Sequence, residues 1–338
     1  MKKIEIPFES FVVAFACFVI LSATACSRHQ QSRQEVVVYC SVDEPYASKT
    51  FAEFEKQSGV HVVAEYDVES SKSIGLSEKI RAERDKPRAD VWWCSEAFLT
   101  VRMADDGVLA PYRPPTADDI PAQFKDEQGY WTGIGLRARV LAVGPRPPPF
   151  APRGIGDLAD PRLKNKIVLA RPTAGSTGAH VAALYAFWGP DKARAFFQKL
   201  HDNGVSLVGG NAIVAQEIAG GAFELGLTDS DDVANTAANG DKIAAIPPDQ
   251  DSFGTLAMPT TIALVKGAPH DATAKKLIDY LASKQVEQKL IEMKFAGWSV
   301  RGGTGAIKAM PLDYHAVAHV YAQAQREATA IMEGRNVE

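Results

Sequence analysis

The chain has 338 residues, of which 46% are hydrophobic and 23% charged, and its formal net charge is −4. That length can bury a sizeable core and divides readily into two domains. The charge gives no support to a nucleic-acid surface, which wants a basic patch, and no heptad repeat or low-complexity block is present.

The first element is a leader. "MKK" precedes an apolar run from Phe11 to Cys26, short for a membrane span and patterned as an export signal. Ser22, Ala23, Thr24 and Ala25 lead into Cys26 in the manner of a bacterial lipobox, although Ala23 stands where such boxes prefer Leu. The expectation is a signal peptide over 1–25, lipid on Cys26 that attaches the protein to a membrane, and a polar tether over 26–34. An uncut N-terminal anchor is the alternative. The mature chain then keeps Cys40 and Cys94. They can be free thiols, a disulfide if their strands are neighbours, or metal ligands.

Strand-like and helical runs alternate from there. The pattern predicts a strand over 35–40, a helix over 47–59, a strand over 60–66, a helix over 73–85, a strand over 89–93 and a short helix over 96–107. After a Pro-rich interval, "WTGIGLRARVLAVG" (131–144) reads as a long strand able to carry the chain between domains. Strands over 165–170 and 223–229 alternate with helices over 176–189, 191–204 and 211–221. A strand over 260–269 returns to the first domain, and helices over 271–283, 286–297 and 314–334 complete the chain. Alternation of this kind argues for two α/β domains with a cleft between them.

Ligands of open α/β sheets gather outside the C-terminal strand ends. Four loops qualify: "CSVDEPYA" with Asp43 and Glu44, "WWCSEAF" with Ser95 and Glu96, "RPTAGSTGAH", and "TDSDDVAN". The third combines Thr173, Gly175, Ser176, Thr177 and Gly178 at a helix start, a geometry that welcomes an anion or serves as a Ser/Thr cap with no ligand; it lacks the Walker A signature. The fourth places Asp229, Asp231 and Asp232 where a strand becomes a helix. Helix capping accounts for one or two of these acids and a positive or hydrogen-bonding ligand for the third. His315 and His319 lack an evident third metal ligand and read as surface or packing.

In order and spacing, "VVVYCSVDE", "ADVWWCSEAF", "ARPTAGSTGAHVAAL", "GLTDSDDV" and "PTTIALVKGAPHDATAKKLIDYLAS" resemble the periplasmic solute-binding proteins of ABC importers. The resembling group includes ferric-iron binders and their phosphonate- and sugar-phosphate-binding relatives. The resemblance implies a periplasmic-binding-protein type II fold: lobe 1 over 35–130, mainly lobe 2 over 131–258, and a return to lobe 1 with C-terminal helices over 259–338. It implies a small solute in the cleft, an inner-membrane permease as partner, a periplasmic location and no catalysis. Carried over from iron-binding members, Asp43 and Glu96 become metal ligands, with Asp231 and Asp232 in the place of the usual tyrosine pair and a synergistic anion near Ala174, Gly175 and Ser176. Glu96 tips this expectation toward ferric iron or another hard cation. The alternative is an organic phosphonate such as 2-aminoethylphosphonate, its phosphonate at the glycine-rich loop and its amine at the aspartates. An exported hydrolase using Asp43 or Asp231 as a base is a more distant reading.

Overall fold

The computed structural model describes residues 34–67, 73–305 and 307–336. The expected signal peptide, Cys26 and nearly all of the tether lie outside the described residues. Among the described residues no helix is long and apolar enough to cross a membrane. The unit that begins at Glu35 is compact.

Lobe 1 is built on strands β1 (Glu35–Cys40), β2 (His61–Tyr66), β3 (Val91–Cys94), β4 (Leu109–Ala110), β5 (Thr132–Val143) and β10 (Ala257–Val265). The sheet runs β2-β1-β3-β10-β5, with β4 on β10. β1 is parallel to β2 and β3, and β10 is antiparallel to β3 and β5. Helices α1 (Glu44–Ser58), α2 (Ile74–Ala82), α3 (Phe98–Asp105), α8 (Asp271–Leu281) and α9 (Lys284–Glu292) cover it. α1 begins three residues before the expected start because Pro45 suits the first turn, and it stops at Gly59 in the left-handed region.

Lobe 2 continues from β5 as β5-β8-β6-β7, using β6 (Ile167–Ala170), β7 (Ser206–Val208) and β8 (Leu225–Asp229); β9 (Ala244–Ile246) pairs with β5. β6, β7 and β8 are parallel neighbours, and β5 is antiparallel to β8. Helices α4 (Gly175–Trp188), α5 (Pro190–Asp202), α6 (Asn211–Ala219) and α7 (Ser230–Ala238) follow the strands. The last helix, α10 (Tyr314–Met332), lies along α4 and α5 and reaches α3 of lobe 1. Two α/β lobes with mixed sheets give the periplasmic-binding-protein type II fold.

The central strands β3 and β10 of lobe 1 are buried on both faces, whereas the edge strand β2 is only partly covered. In β3, Trp92 packs with Tyr39, Leu76 and Met103 on one side, while Trp93 packs with Val36, Phe51 and Phe54 on the other. The same alternation separates the cysteines. Cys40 is in register with Trp93, so Cys94, one residue on, projects to the opposite face. Both thiols are buried and are not bonded to each other, which removes the Cys40–Cys94 disulfide alternative.

β5 belongs to both lobes. Residues 132–138 pair with β10 and residues 139–142 pair with β8. Its ladder with β10 is irregular within the first segment: the register shifts at Pro259/Thr260, opposite Leu136 and Ile134. Gly135 takes φ +63, with room for no side chain because a Cβ there would lie 2.8 Å from that of Ala296.

Candidate functional site

The C-terminal strand ends of both lobes meet at a cavity of about 300 Å3. Lobe 1 supplies Asp43 from the β1–α1 turn, Tyr46 from the first turn of α1 and Ser95 from the β3–α3 turn. The strand β5 supplies Arg137. Lobe 2 supplies Thr173–Thr177 before and within α4, Gly209–Ile213 at the start of α6, and Asp229, Asp231, Asp232 and Asn235 at the β8–α7 turn. Of the expected site residues, Asp43, Ala174, Gly175, Ser176, Thr177, Asp229, Asp231 and Asp232 are thus brought together.

The three aspartates each offer an oxygen within 4.8 Å of the others. They are not alone. Arg137 and Arg139 alternate along β5 and point to one face, buried in the midst of the acids. Arg139 is opposite Asp229 in the strand register and its Nη1 reaches Asp229 Oδ1 at 2.7 Å. It also donates to Asn211 Oδ1 at 2.9 Å and to the hydroxyls of Ser176 and Thr177 at 3.3 Å. The Ser176 hydroxyl donates to Asp229 Oδ2 at 2.5 Å. Arg137 Nη1 lies 3.2 Å from Asp231 Oδ2 and 3.6 Å from Asp229 Oδ2, and its Nη2 donates to the Ser95 carbonyl at 2.7 Å. Thr228 donates to Asp232 Oδ2 at 3.1 Å. Asp231 Oδ1 is buried and has no hydrogen-bond partner, although its residue lines the cavity.

These surroundings separate three carboxylates of like chemistry. Burial alone would raise the pKa of Asp229, but Arg139 and then Arg137 outweigh it and hold it below the ordinary carboxylate value. Burial, with the negative charges of Asp229 and Asp43, pushes Asp231 up to about 6 against the pull of Arg137. Asp232 is raised well above the usual range by burial and by Asp231 and Asp229. Against the effect of burial, the charges of Asp231 and then Asp229 raise the pKa of the Arg137 guanidinium. The behaviour of His180 fits the same field: burial and then Arg139 push it down to about 3, so it is neutral.

The other wall has donor character. α4 begins after Ala174 and α6 after Gly210, and neither N-cap residue provides a side-chain acceptor. The hydroxyls of Ser176 and Thr177 are turned into the network, toward Asp229 and Asn211. First-turn N–H groups of two helices therefore face the cavity without side-chain caps, an arrangement that suits an anion.

Residues 90–301 match the family model described as bacterial extracellular solute-binding protein. The chain belongs to that family. A putative 2-aminoethylphosphonate-binding periplasmic protein of Salmonella typhimurium is 27% identical over 333 residues, which cover 93% of this chain and 89% of the relative. Among solved structures, the apo ferric ion-binding protein A of Pasteurella haemolytica superposes with a TM-score of 0.79 at 21% identity, over 88% of this chain and 98% of that one. AfuA of Actinobacillus pleuropneumoniae, solved with exogenous fructose-6-phosphate bound, gives 0.75 at 22% identity, over 90% and 98%. At those identities the two structures establish the fold. Membership makes this a periplasmic-type solute-binding protein, a transport component and not a member of an enzyme family, and implies membrane permease subunits as partners.

Within this solute-binding protein, Glu96 departs from expectation. It is fully buried and does not line the cavity. Its carboxylate accepts the N–H of Phe98 at 2.6 Å and of Leu99 at 3.0 Å, at the start of α3, and the Tyr321 hydroxyl at 3.4 Å. Burial pushes its pKa up to about 7 despite these donors. The chain turns sharply after β3, so Ser95 faces the cleft and its neighbour turns inward to cap a helix. As a metal ligand beside Asp43, Asp231 and Asp232, Glu96 is therefore corrected to a capping residue. Arg137, Arg139, Asn211, Tyr46 and Asn235 were not among the expected site residues. The two arginines carried a readable signal, since charges two apart in an otherwise apolar strand require a buried acidic partner.

Proposed function

We propose that this protein captures a small organic phosphonate or phosphate that also carries an amine, and delivers it to an ABC permease. The observation that carries this reading is the pairing, in one cavity, of uncapped helix starts at Gly175 and Asn211 with the unpartnered Asp231 Oδ1. A phosphonate matches the N–H donors, and an ammonium matches the acid. The ion pairs of Arg137 and Arg139 with Asp229 and Asp231 pre-organise the site, so that the solute meets groups already fixed in place. The name of the Salmonella typhimurium relative supports 2-aminoethylphosphonate as the first compound to test. The lipobox-like run before Cys26 supports attachment of the mature protein to a membrane through lipid.

The second reading, a ferric ion or another hard cation held by Asp43, Asp231 and Asp232, rests on the closeness of the Asp231 and Asp232 carboxylates to each other and to Asp229 and on the likeness in fold to ferric-binding proteins. Against it stand the position of Glu96 and the two permanent guanidinium charges inside the cluster, which repel a multivalent cation where the dielectric is low. Elemental analysis of gently purified protein, followed by calorimetric titration with 2-aminoethylphosphonate and with ferric citrate, decides between them. Saturable binding of the phosphonate by metal-free protein, weakened at least tenfold in Asp231→Asn, is the expected result. Stoichiometric iron that survives purification, with no response to the phosphonate, overturns the proposal.

A further inference from the structure

A side-chain pair spans the cavity from lobe to lobe. The Asn235 amide on α7 donates to the Tyr46 hydroxyl on α1 at 2.6 Å. Tyr46 is positioned from lobe 1: its ring lies against Phe295, centroids 5.0 Å apart, and Phe295 belongs to the lobe 1 core. Asn235 is positioned from lobe 2, one turn beyond Asp231 on the same helix, so the group that bridges the lobes and the group offered to the solute move as one body.

Both residues are half-buried, and each finds water once the lobes part, so the bond has the character of a contact made and broken in operation. Arg137 also joins the lobes, through the Ser95 carbonyl and Asp231. It sits on the strand that both lobes share, where a rotation displaces atoms least. Tyr46 and Asn235 sit on helices flanking the sheet, where the same rotation separates them. We propose that Tyr46 and Asn235 form a latch that holds the lobes together over the cavity and sets the rate at which a captured solute is released. No charge is involved, so the latch acts on any solute the cavity admits, and selectivity stays with the residues beneath it.

The first arm of the test needs no solute. Spin labels at Lys49→Cys on α1 and Asn239→Cys after α7, both exposed positions, report the separation of the lobes in the purified full chain. Tyr46→Phe keeps the ring on Phe295 and removes the acceptor; Asn235→Ala removes the donor. Each is expected to broaden the label distribution toward longer distances, and the double variant to add nothing further. Circular dichroism confirms that both variants are folded. The second arm, which rests on the capture reading, follows dissociation of 2-aminoethylphosphonate by stopped flow; each variant is expected to release it about five-fold faster with little change in association rate. Unchanged distance distributions in both variants overturn the latch. Failure of the wild-type protein to bind the phosphonate overturns the solute assignment alone, because the distance arm still decides the latch.

Discussion

Arg139 and Asp229 face one another in register across β5 and β8, 2.7 Å apart and both buried. Arg137 lies farther from Asp229, at 3.6 Å, and is already engaged with Asp231 and the Ser95 carbonyl, so Arg139 and Asp229 are each the main condition for burying the other. Removing one side leaves an uncompensated charge in the interior, which costs about 3–5 kcal/mol. Arg139→Ala and Asp229→Ala are each expected to lower the unfolding free energy by that amount, read from urea denaturation. Asp229→Asn should fall between them and wild type, because the Ser176 and Asn211 contacts can persist in part. A loss under 1 kcal/mol in Arg139→Ala would show the pair to be dispensable.

Protonation of the site gives a pH dependence of definite sign. The folded-state pKa of Asp231 is raised to about 6 by burial and then by its acidic neighbours. A raised folded pKa stabilises the fold below the unfolded value, and that stability is lost as pH rises through about 6, on the order of 3 kcal/mol for this group. Asp232 acts in the same direction and Asp229 in the opposite one, since its depressed pKa yields stability that is lost as pH falls. Binding has the reverse trend. An ammonium needs the ionised Asp231, so affinity for 2-aminoethylphosphonate should increase from pH 5 to pH 7. Calorimetry across that range checks it, and Asp231→Asn should flatten the profile. A profile of equal slope in that variant would remove Asp231 from the amine site.

Glu96 separates stability from binding. Glu96→Ala deprives the first N–H groups of α3 of their acceptor and leaves the Tyr321 hydroxyl without it. The expected cost is about 1–3 kcal/mol in denaturation, with solute affinity held within about threefold. If metal loading proved stoichiometric in wild type and absent in Glu96→Ala, the cation reading would regain its main support.

The two cysteines predict a chemical signature. Burial pushes the Cys94 thiol up to about 12, and Cys40 is equally enclosed on the other sheet face. A thiol reagent should leave both unmodified in the native protein for hours and titrate both in denaturant, with or without reductant. Release of these thiols only after reduction would contradict the opposite-face placement.

Much of the architecture could be read from the sequence because each element had a strong local period. The run "VVVYC", the helix stopping at Gly59 and the double tryptophan of β3 all fell where expected. The short strands β4, β7 and β9 were not foreseen, since two or three residues carry no period and exist only through their neighbours. The site divided along a similar line. Asp229, Asp231 and Asp232 announce themselves by density, and the loop at Gly175 by composition. Their meaning lay in Arg137 and Arg139, about ninety residues earlier in the chain, which only strand register brings to them. Glu96 was misjudged because its position after a strand says that it is near the cleft, while a single backbone turn decides which way it faces.

The strand β5 has a consequence for signalling between the cavity and the permease. One continuous ribbon carries Gly135 at its flexure, Arg137 in the cavity wall and Arg139 behind it. A change in the charge met by either arginine therefore falls on the one strand that pairs with the sheets of both lobes. Under the capture reading proposed above, the strand that senses the solute is also the strand that joins the lobes, and a permease that reads the posture of the lobes would read the state of the cavity through it.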